Sequence, residues 1–250
     1  MPAVSQTPRS SNDSPQLRLA DAVRRLTDVA VGRLVPVQEL DRVAAEVGRL
    51  AQRLDEVAPP GKRSRGMPDH RDHPQDLFPT SPVVGLLNPV APPVRIWGVT
   101  GHEGIRELRG TARFGAAYEG PPSCVHGGVI AEVFDELLGL ASVVTGRGGM
   151  TGTLTVRYRK PTPLLVDLDL EARLTSREGR KLFCWGGIFH QGGLTAEAEA
   201  VFVTVAPERV MDMMWSNAQV AGEQVVDTGL EEYFEQGGEF LGGVDGPPPR

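Results

Sequence analysis

From residue 127 to residue 145 the chain reads as one helix, with apolar side chains at Val129, Ile130, Val133, Phe134, Leu137 and Leu138. That stripe is too wide for a helix lying on a surface, so another element must cover it. Strand patterns stand on both sides: residues 94–100 and 105–114 before it, then 150–160, 165–176, 181–191 and 196–205 after it. In the third of these, Thr151, Thr153, Thr155, Arg157 and Arg159 alternate with Gly152, Leu154, Val156 and Tyr158. This is the period of a strand with one wet face. Glu178-Gly179-Arg180 and Gly192-Gly193 supply turn chemistry for two hairpins. One central helix, preceded by two strands and followed by four, predicts an α+β fold with an antiparallel sheet wrapped around that helix.

Upstream the pattern changes. Nine prolines fall between residues 58 and 93, at 59, 60, 68, 74, 79, 82, 89, 92 and 93. Each removes a backbone donor and disfavours helix in the residue before it, so 58–93 is expected as an extended connector. Ahead of it, Ser14-Pro15 fits a helix N-cap followed by proline at the first helical position. Leu19, Val23, Leu26 and Ala30 then recur at helical spacing. Beyond Gly32 and Pro36, the positions Leu40, Val43, Val47, Leu50, Leu54 and Val57 continue it. Residues 1–57 are therefore expected to form an amphipathic helical hairpin that packs on the main domain. Pairing with a second chain or a partner is the other use of such a face. The sheet domain is expected over 94–206 and a C-terminal tail over 207–250, frayed from Gly237 onward.

Composition narrows the partners. The 250 residues carry 26 Lys plus Arg against 32 Asp plus Glu, a formal net charge of -6. That balance gives no global attraction to nucleic acid or an anionic membrane. The hairpin region, 13–57, has seven Arg against eight acids and so lacks the basic excess of a DNA-binding head. The longest apolar run, 137–144, falls well short of the roughly 20 residues of a membrane-spanning helix. Residues 1–16 are polar and show no secretory pattern, so a cytoplasmic protein with Cys124 and Cys184 as reduced thiols is expected. His70 and His73 have no further Cys or His cluster to complete a metal site. They are assigned to the connector, and no cofactor is expected. Phe183 and Trp185 are expected as core residues of their strand.

The chemistry concentrates at the start of the central helix. Val133, Phe134, Leu137 and Leu138 surround Asp135, which places an acid in a mainly apolar helix. A buried carboxylate is costly unless paired or given a task. Gly127 and Gly128 open the helix, where free backbone amides and the positive dipole end attract an oxyanion, and glycine allows a ligand to come close. An oxyanion-binding helix start plus an acid suits acyl transfer, through an activated water or by direct attack. Yet eight positions separate Gly127 from Asp135, about 12 Å along a helix. Both cannot touch one reacting carbonyl. If both act, the acid facing a given glycine comes from a second chain, and the protein is a dimer with two composite sites.

The order strand, His-Gly-Gly, helix with an acid nine residues after the His, then a long strand ending Arg-Lys-Pro, resembles the hotdog-fold acyl-CoA thioesterases. The likeness is to the phenylacetate-type (PaaI-like) branch and the human thioesterase superfamily members. His126, Gly127, Gly128 and Asp135 stand at the branch's HGG-x(6)-D motif. Met150-Thr151, Tyr158-Arg159-Lys160-Pro161 and Glu178-Gly179-Arg180-Lys181 also match its patterns. The resemblance spans about residues 94 to 205 and leaves out the hairpin, the connector and the tail.

It implies a hydrolase that releases a free acid and coenzyme A from an acyl-CoA, as a homodimer or homotetramer with no metal or redox cofactor. The Gly127 amide would polarise the thioester carbonyl, with Gly128 beside it at the substrate. Asp135 of the partner chain would act as general base or nucleophile. Thr151 would hold the water or the carboxylate, and His126 would orient the substrate. Arg159, Lys160, Arg180 and Lys181 would meet the nucleotide phosphates. Two alternatives stay open: a hydratase or dehydratase on the same fold, and a non-catalytic acyl-CoA sensor whose hairpin signals to a partner. Cys124 has no base at recognisable spacing and is not expected as a nucleophile.

Overall fold

The computed structural model describes residues 14–58, 76, 78–101, 106–145 and 148–220. Within them, two helices, α1 (Pro15–Gly32) and α2 (Val37–Val57), precede strands β1 (Val94–Thr100) and β2 (Arg106–Ala112). A short 3-10 turn (Ala116–Tyr118) leads to α3 (Gly127–Val143). Four strands follow, β3 (Met150–Tyr158), β4 (Leu168–Glu178), β5 (Lys181–His190) and β6 (Gly193–Val203), and then α4 (Pro207–Val220). The strands form one antiparallel sheet in the order β1-β2-β4-β5-β6-β3. The expected arrangement holds, two strands before the central helix and four after it.

The alternation of β5 and β6 explains how the sheet takes the helix. Leu182, Cys184 and Ile188 on β5, with Ala196, Ala198, Ala200 and Phe202 on β6, are buried against α3. From the helix come Val133, Phe134, Leu137, Leu138 and Ala141, each wholly buried. Burial of each large side chain contributes about 1.5–3 kcal/mol. Small residues set the approach of the two layers. A Cβ on Gly186 would sit 3.0 Å from a Leu138 methyl. The turns fall where their glycines predicted them, with Gly179 at φ 57° and Gly192 at φ 76°.

The opposite parity of β5 corrects one expectation. Phe183 and Trp185 point to the outer face of the sheet and are only half-buried. Trp185 donates its indole N–H to Glu197 at 3.1 Å and stacks under the Arg173 guanidinium, 4.3 Å from the ring centre. Cys184 between them takes the core position, and burial pushes its thiol up to about 12.

The N-terminal helices divide in behaviour. Ser14 caps α1, its hydroxyl accepting from the Leu17 N–H at 3.1 Å. α1 docks on the domain through Ala20 and through Arg24, whose guanidinium donates to the carbonyls of Gly85, Leu86, Asn88 and Ala91. α2 buries none of its residues. The hairpin thus packs by its first helix only. The connector also differs from an extended strand. Its described part, 78–93, runs as successive turns and puts Val83, Val84 and Ala91 into the core, because its prolines permit turns as readily as extension. The tail opens with a helix, α4. His70, His73 and the residues from Gly237 onward lie outside the described residues.

Candidate active site

The loop before α3 is fastened on both sides. Val125 N–H donates to Thr162 O and His126 N–H to Tyr118 O, each at 2.9 Å. Gly120 lets this loop close up, since a Cβ there would lie 2.7 Å from the His126 Cα. His126 is the N-cap of α3, and its Nδ1 accepts from the Gly128 N–H at 3.0 Å. Accepting at Nδ1 leaves the neutral ring's proton on Nε2. The cap therefore uses the Gly128 amide and, among the described residues, leaves the Gly127 N–H without a partner. That free donor points out of the helix start, at its positive end. Gly127 is held from the other side, because Tyr158 Oη donates to its carbonyl at 2.9 Å.

Asp135 requires a correction. The expected buried acid is exposed in the single chain. At about 100° per residue, Asp135 projects well away from the stripe formed by Val133, Phe134, Leu137 and Leu138. The apolar sequence around it lines the opposite side of the helix. Its carboxylate accepts from the Thr151 hydroxyl at 2.9 Å. Glu136, next to it, is partly buried. Burial first, and then the charges of Asp135 and Glu132, raise the Glu136 carboxyl above its usual range, while a Ser81 hydroxyl bond lowers it.

Simple alternation would send Thr151 outward with Thr153, Thr155 and Arg157, away from the helix. A bulge reverses this. Thr151 pairs with Phe202, and Thr153 pairs with the very next residue, Val201, leaving Gly152 as the extra residue. Because Phe202 faces the helix, Thr151 does too. The bulge is what brings the hydroxyl to Asp135.

β3 thus joins two separated points. Thr151 meets Asp135 near one end, and Tyr158 meets Gly127 at the other. Within one chain the free amide and the acid remain about 12 Å apart along α3. A cavity of about 420 Å³ opens at the Gly127 end, lined among others by Cys124, Ile130, Tyr158, Arg159 and Lys160. Arg159 is committed to a two-nitrogen pair with Glu197, so of the two cations there Lys160 is the one without such a pairing. Arg180 and Lys181 sit at the β4–β5 turn, where Lys181 pairs with Val203, the partner of Met150. That is the Thr151 end of β3. The four cations expected at the phosphates therefore lie at two ends of the sheet in one chain. Among the described residues no group of three His, Cys, Asp or Glu side chains is placed to hold a metal ion. No described helix is long and apolar enough to cross a membrane.

Two contributors escaped sequence reasoning. Tyr158 carried a signal, an aromatic with a polar tip on the inward parity of β3. Gly152 carried a weaker one, a glycine inside a strand pattern.

Comparison with known proteins bears on the family and the fold. The Thioesterase superfamily model matches residues 123–198, from the loop before α3 into β6. Acyl-coenzyme A thioesterase THEM4 of Xenopus laevis is 37% identical over 95 residues, covering 37% of this chain and 43% of that protein. THEM4 of Mus musculus is 37% identical over 97 residues, covering 38% and 42%. The chain thus matches less than half the length of these curated relatives. The crystal structure of protein RHA08564, a thioesterase superfamily protein, superposes with a TM-score of 0.68 at 34% identity, covering 79% of this chain and 94% of that one. With a relative 34% identical and matched over 94% of its own length, and with the sheet wrapped on α3, the chain belongs to the thioesterase superfamily and carries its hotdog fold.

Proposed function

We propose that this protein is an acyl-CoA thioesterase, hydrolysing a thioester to a free acid and coenzyme A in a site shared by two chains. The observation that carries the reading is the placement of the two pairs, Thr151–Asp135 and Tyr158–Gly127, toward opposite ends of one edge strand. β3 is a nine-residue edge with most of its side chains exposed, a template for a further strand. An antiparallel pairing of two β3 strands, centred between Leu154 and Thr155, sets Thr151 of one copy opposite Tyr158 of the other. Asp135 of the first copy then stands beside the Gly127 amide of the second. One arrangement removes the 12 Å separation twice over.

In this site the Gly127 N–H receives the charge that develops on the thioester oxygen. Asp135, held by Thr151, takes a proton from a water that adds to the carbonyl, or attacks the carbonyl itself to form a mixed anhydride that water then hydrolyses. In either route the C–S bond breaks and coenzyme A leaves as a thiolate that takes up the proton. His126 holds the helix start in shape through Gly128, and its Nε2–H faces the substrate. The same pairing brings Lys160 of one copy to the end where Arg180 and Lys181 of the other reside, a cationic edge for nucleotide phosphates. The test is thiol release from short, medium, long and aromatic acyl-CoAs, with Asp135→Asn beside the wild type. Turnover lost in the variant is expected. A variant as fast as wild type refutes the mechanism, and binding without turnover by the wild type makes the protein a sensor.

A further inference from the structure

α2 is an element that the rest of the described chain leaves uncovered. None of its residues is buried, and Leu40, Val47, Leu50 and Leu54 are each 40% exposed or more. With Val43 and Val57 they form a stripe at spacings of three, four, three, four and three, the seam of a coiled coil. We infer that α2 is a self-association element, which pairs antiparallel with α2 of a second copy of this chain.

Two properties of the stripe select that occupant and that direction. Its spacing is the same read in either direction, so two antiparallel copies bring every apolar residue into register. Leu40 then faces Val57 of the second copy, Val43 faces Leu54, and Val47 faces Leu50. Each layer holds one Leu and one Val, so the layers have equal volume and large side chains meet small ones. A parallel pair would stack Leu on Leu and Val on Val instead.

The flanking residues agree. Glu46 and Arg53 border one side of the seam and Ala44 and Ala51 the other, all four on the exposed surface of α2. In the antiparallel pair, Glu46 of one copy lies within about 3 Å of axial offset from Arg53 of the other, and the symmetry repeats the pair. The Ala side brings two small residues together and lets the helices close. In a parallel pair Glu46 would face Ala51, and neither charge would find a partner. The inference does not depend on the thioesterase reading, because it uses no residue of that site.

The experiment uses the full chain. Val43→Cys and Leu54→Cys chains, carrying different tags, are co-expressed and gently oxidised, and the disulfides are mapped by peptide mass, which separates any link through Cys124 or Cys184. A link between the two variants, with little from either variant to itself, is expected. Self-links of each variant mean a parallel seam and overturn the inference. Absence of any link between α2 helices also overturns it and assigns the stripe to a different surface. In a second arm, Glu46→Arg is expected to suppress the link several-fold, and adding Arg53→Glu is expected to restore it. A link indifferent to both changes overturns the charge pairing. Glu46, Arg53 and Leu54 are exposed and Val43 is only partly covered, so the variants keep the fold, and the circular dichroism spectrum checks that they do.

Discussion

Replacing Thr151 with valine removes one hydroxyl and keeps the shape of the side chain. That hydroxyl donates to Asp135 at 2.9 Å, a hydrogen bond to a carboxylate. Bonds to charged groups contribute about 1.5–3 kcal/mol net. Both residues are exposed in the single chain, which argues for the lower end, about 1.5 kcal/mol. At roughly 1.4 kcal/mol per factor of ten, kcat/KM should fall slightly more than tenfold. Thr151→Ser, which keeps the hydroxyl, should stay within about threefold of wild type on the same scale. The assay is steady-state thiol release with the best acyl-CoA of the panel, beside a thermal unfolding curve. Because the same bond ties β3 to α3 within the single chain, stability should fall by no more than about 1.5 kcal/mol. A Thr151→Val enzyme within a factor of two of wild type would refute the reasoning. The hydroxyl would then not position the acid, and the bulge at Gly152 would have no catalytic purpose.

Arg24→Met should detach α1. Its guanidinium supplies four backbone carbonyls, three of them sharing one nitrogen, so the loss should be about 3 kcal/mol in urea unfolding. Little change would show that segment 85–91 holds itself. Cys184, with its thiol raised by burial to about 12, should resist a thiol reagent at neutral pH until the fold is opened, whereas Cys124, half-buried, should react. The same shift sets a sign for stability. Between an ordinary thiol value near 9 and about 12 the folded chain keeps a proton that the unfolded chain has lost. Stability should therefore fall as pH rises through that window. Cys184→Ala should remove this component of the slope.

Much of the molecule was legible in the chain because period and burial are local properties. The apolar stripe of α3, the alternation in β3, β5 and β6, and the two glycine turns each follow from a few neighbouring residues. So did the incompatibility of Gly127 and Asp135 within one site, since helix rise is the same in every protein. The two glycines that open the helix were also readable from residue type, whereas the capping of that helix by His126 came only from the structure.

What the tertiary structure decided is where parity and exposure break the local rule. Asp135 sits among apolar residues in sequence yet faces outward, because a helix turns by about 100° at each position. Thr151 belongs by alternation to the outer face, and the extra residue at Gly152 in the β3–β6 ladder turns it toward the acid. Arg159, read as a cation for phosphate, is occupied by Glu197 one strand away, a partner that only the register supplies. The connector that its prolines marked as extended folds back into the core and is locked there by Arg24, from a helix more than sixty positions earlier. Local sequence determines which elements form and which face of each is apolar. Pairing register and long-range hydrogen bonds determine which of their side chains meet.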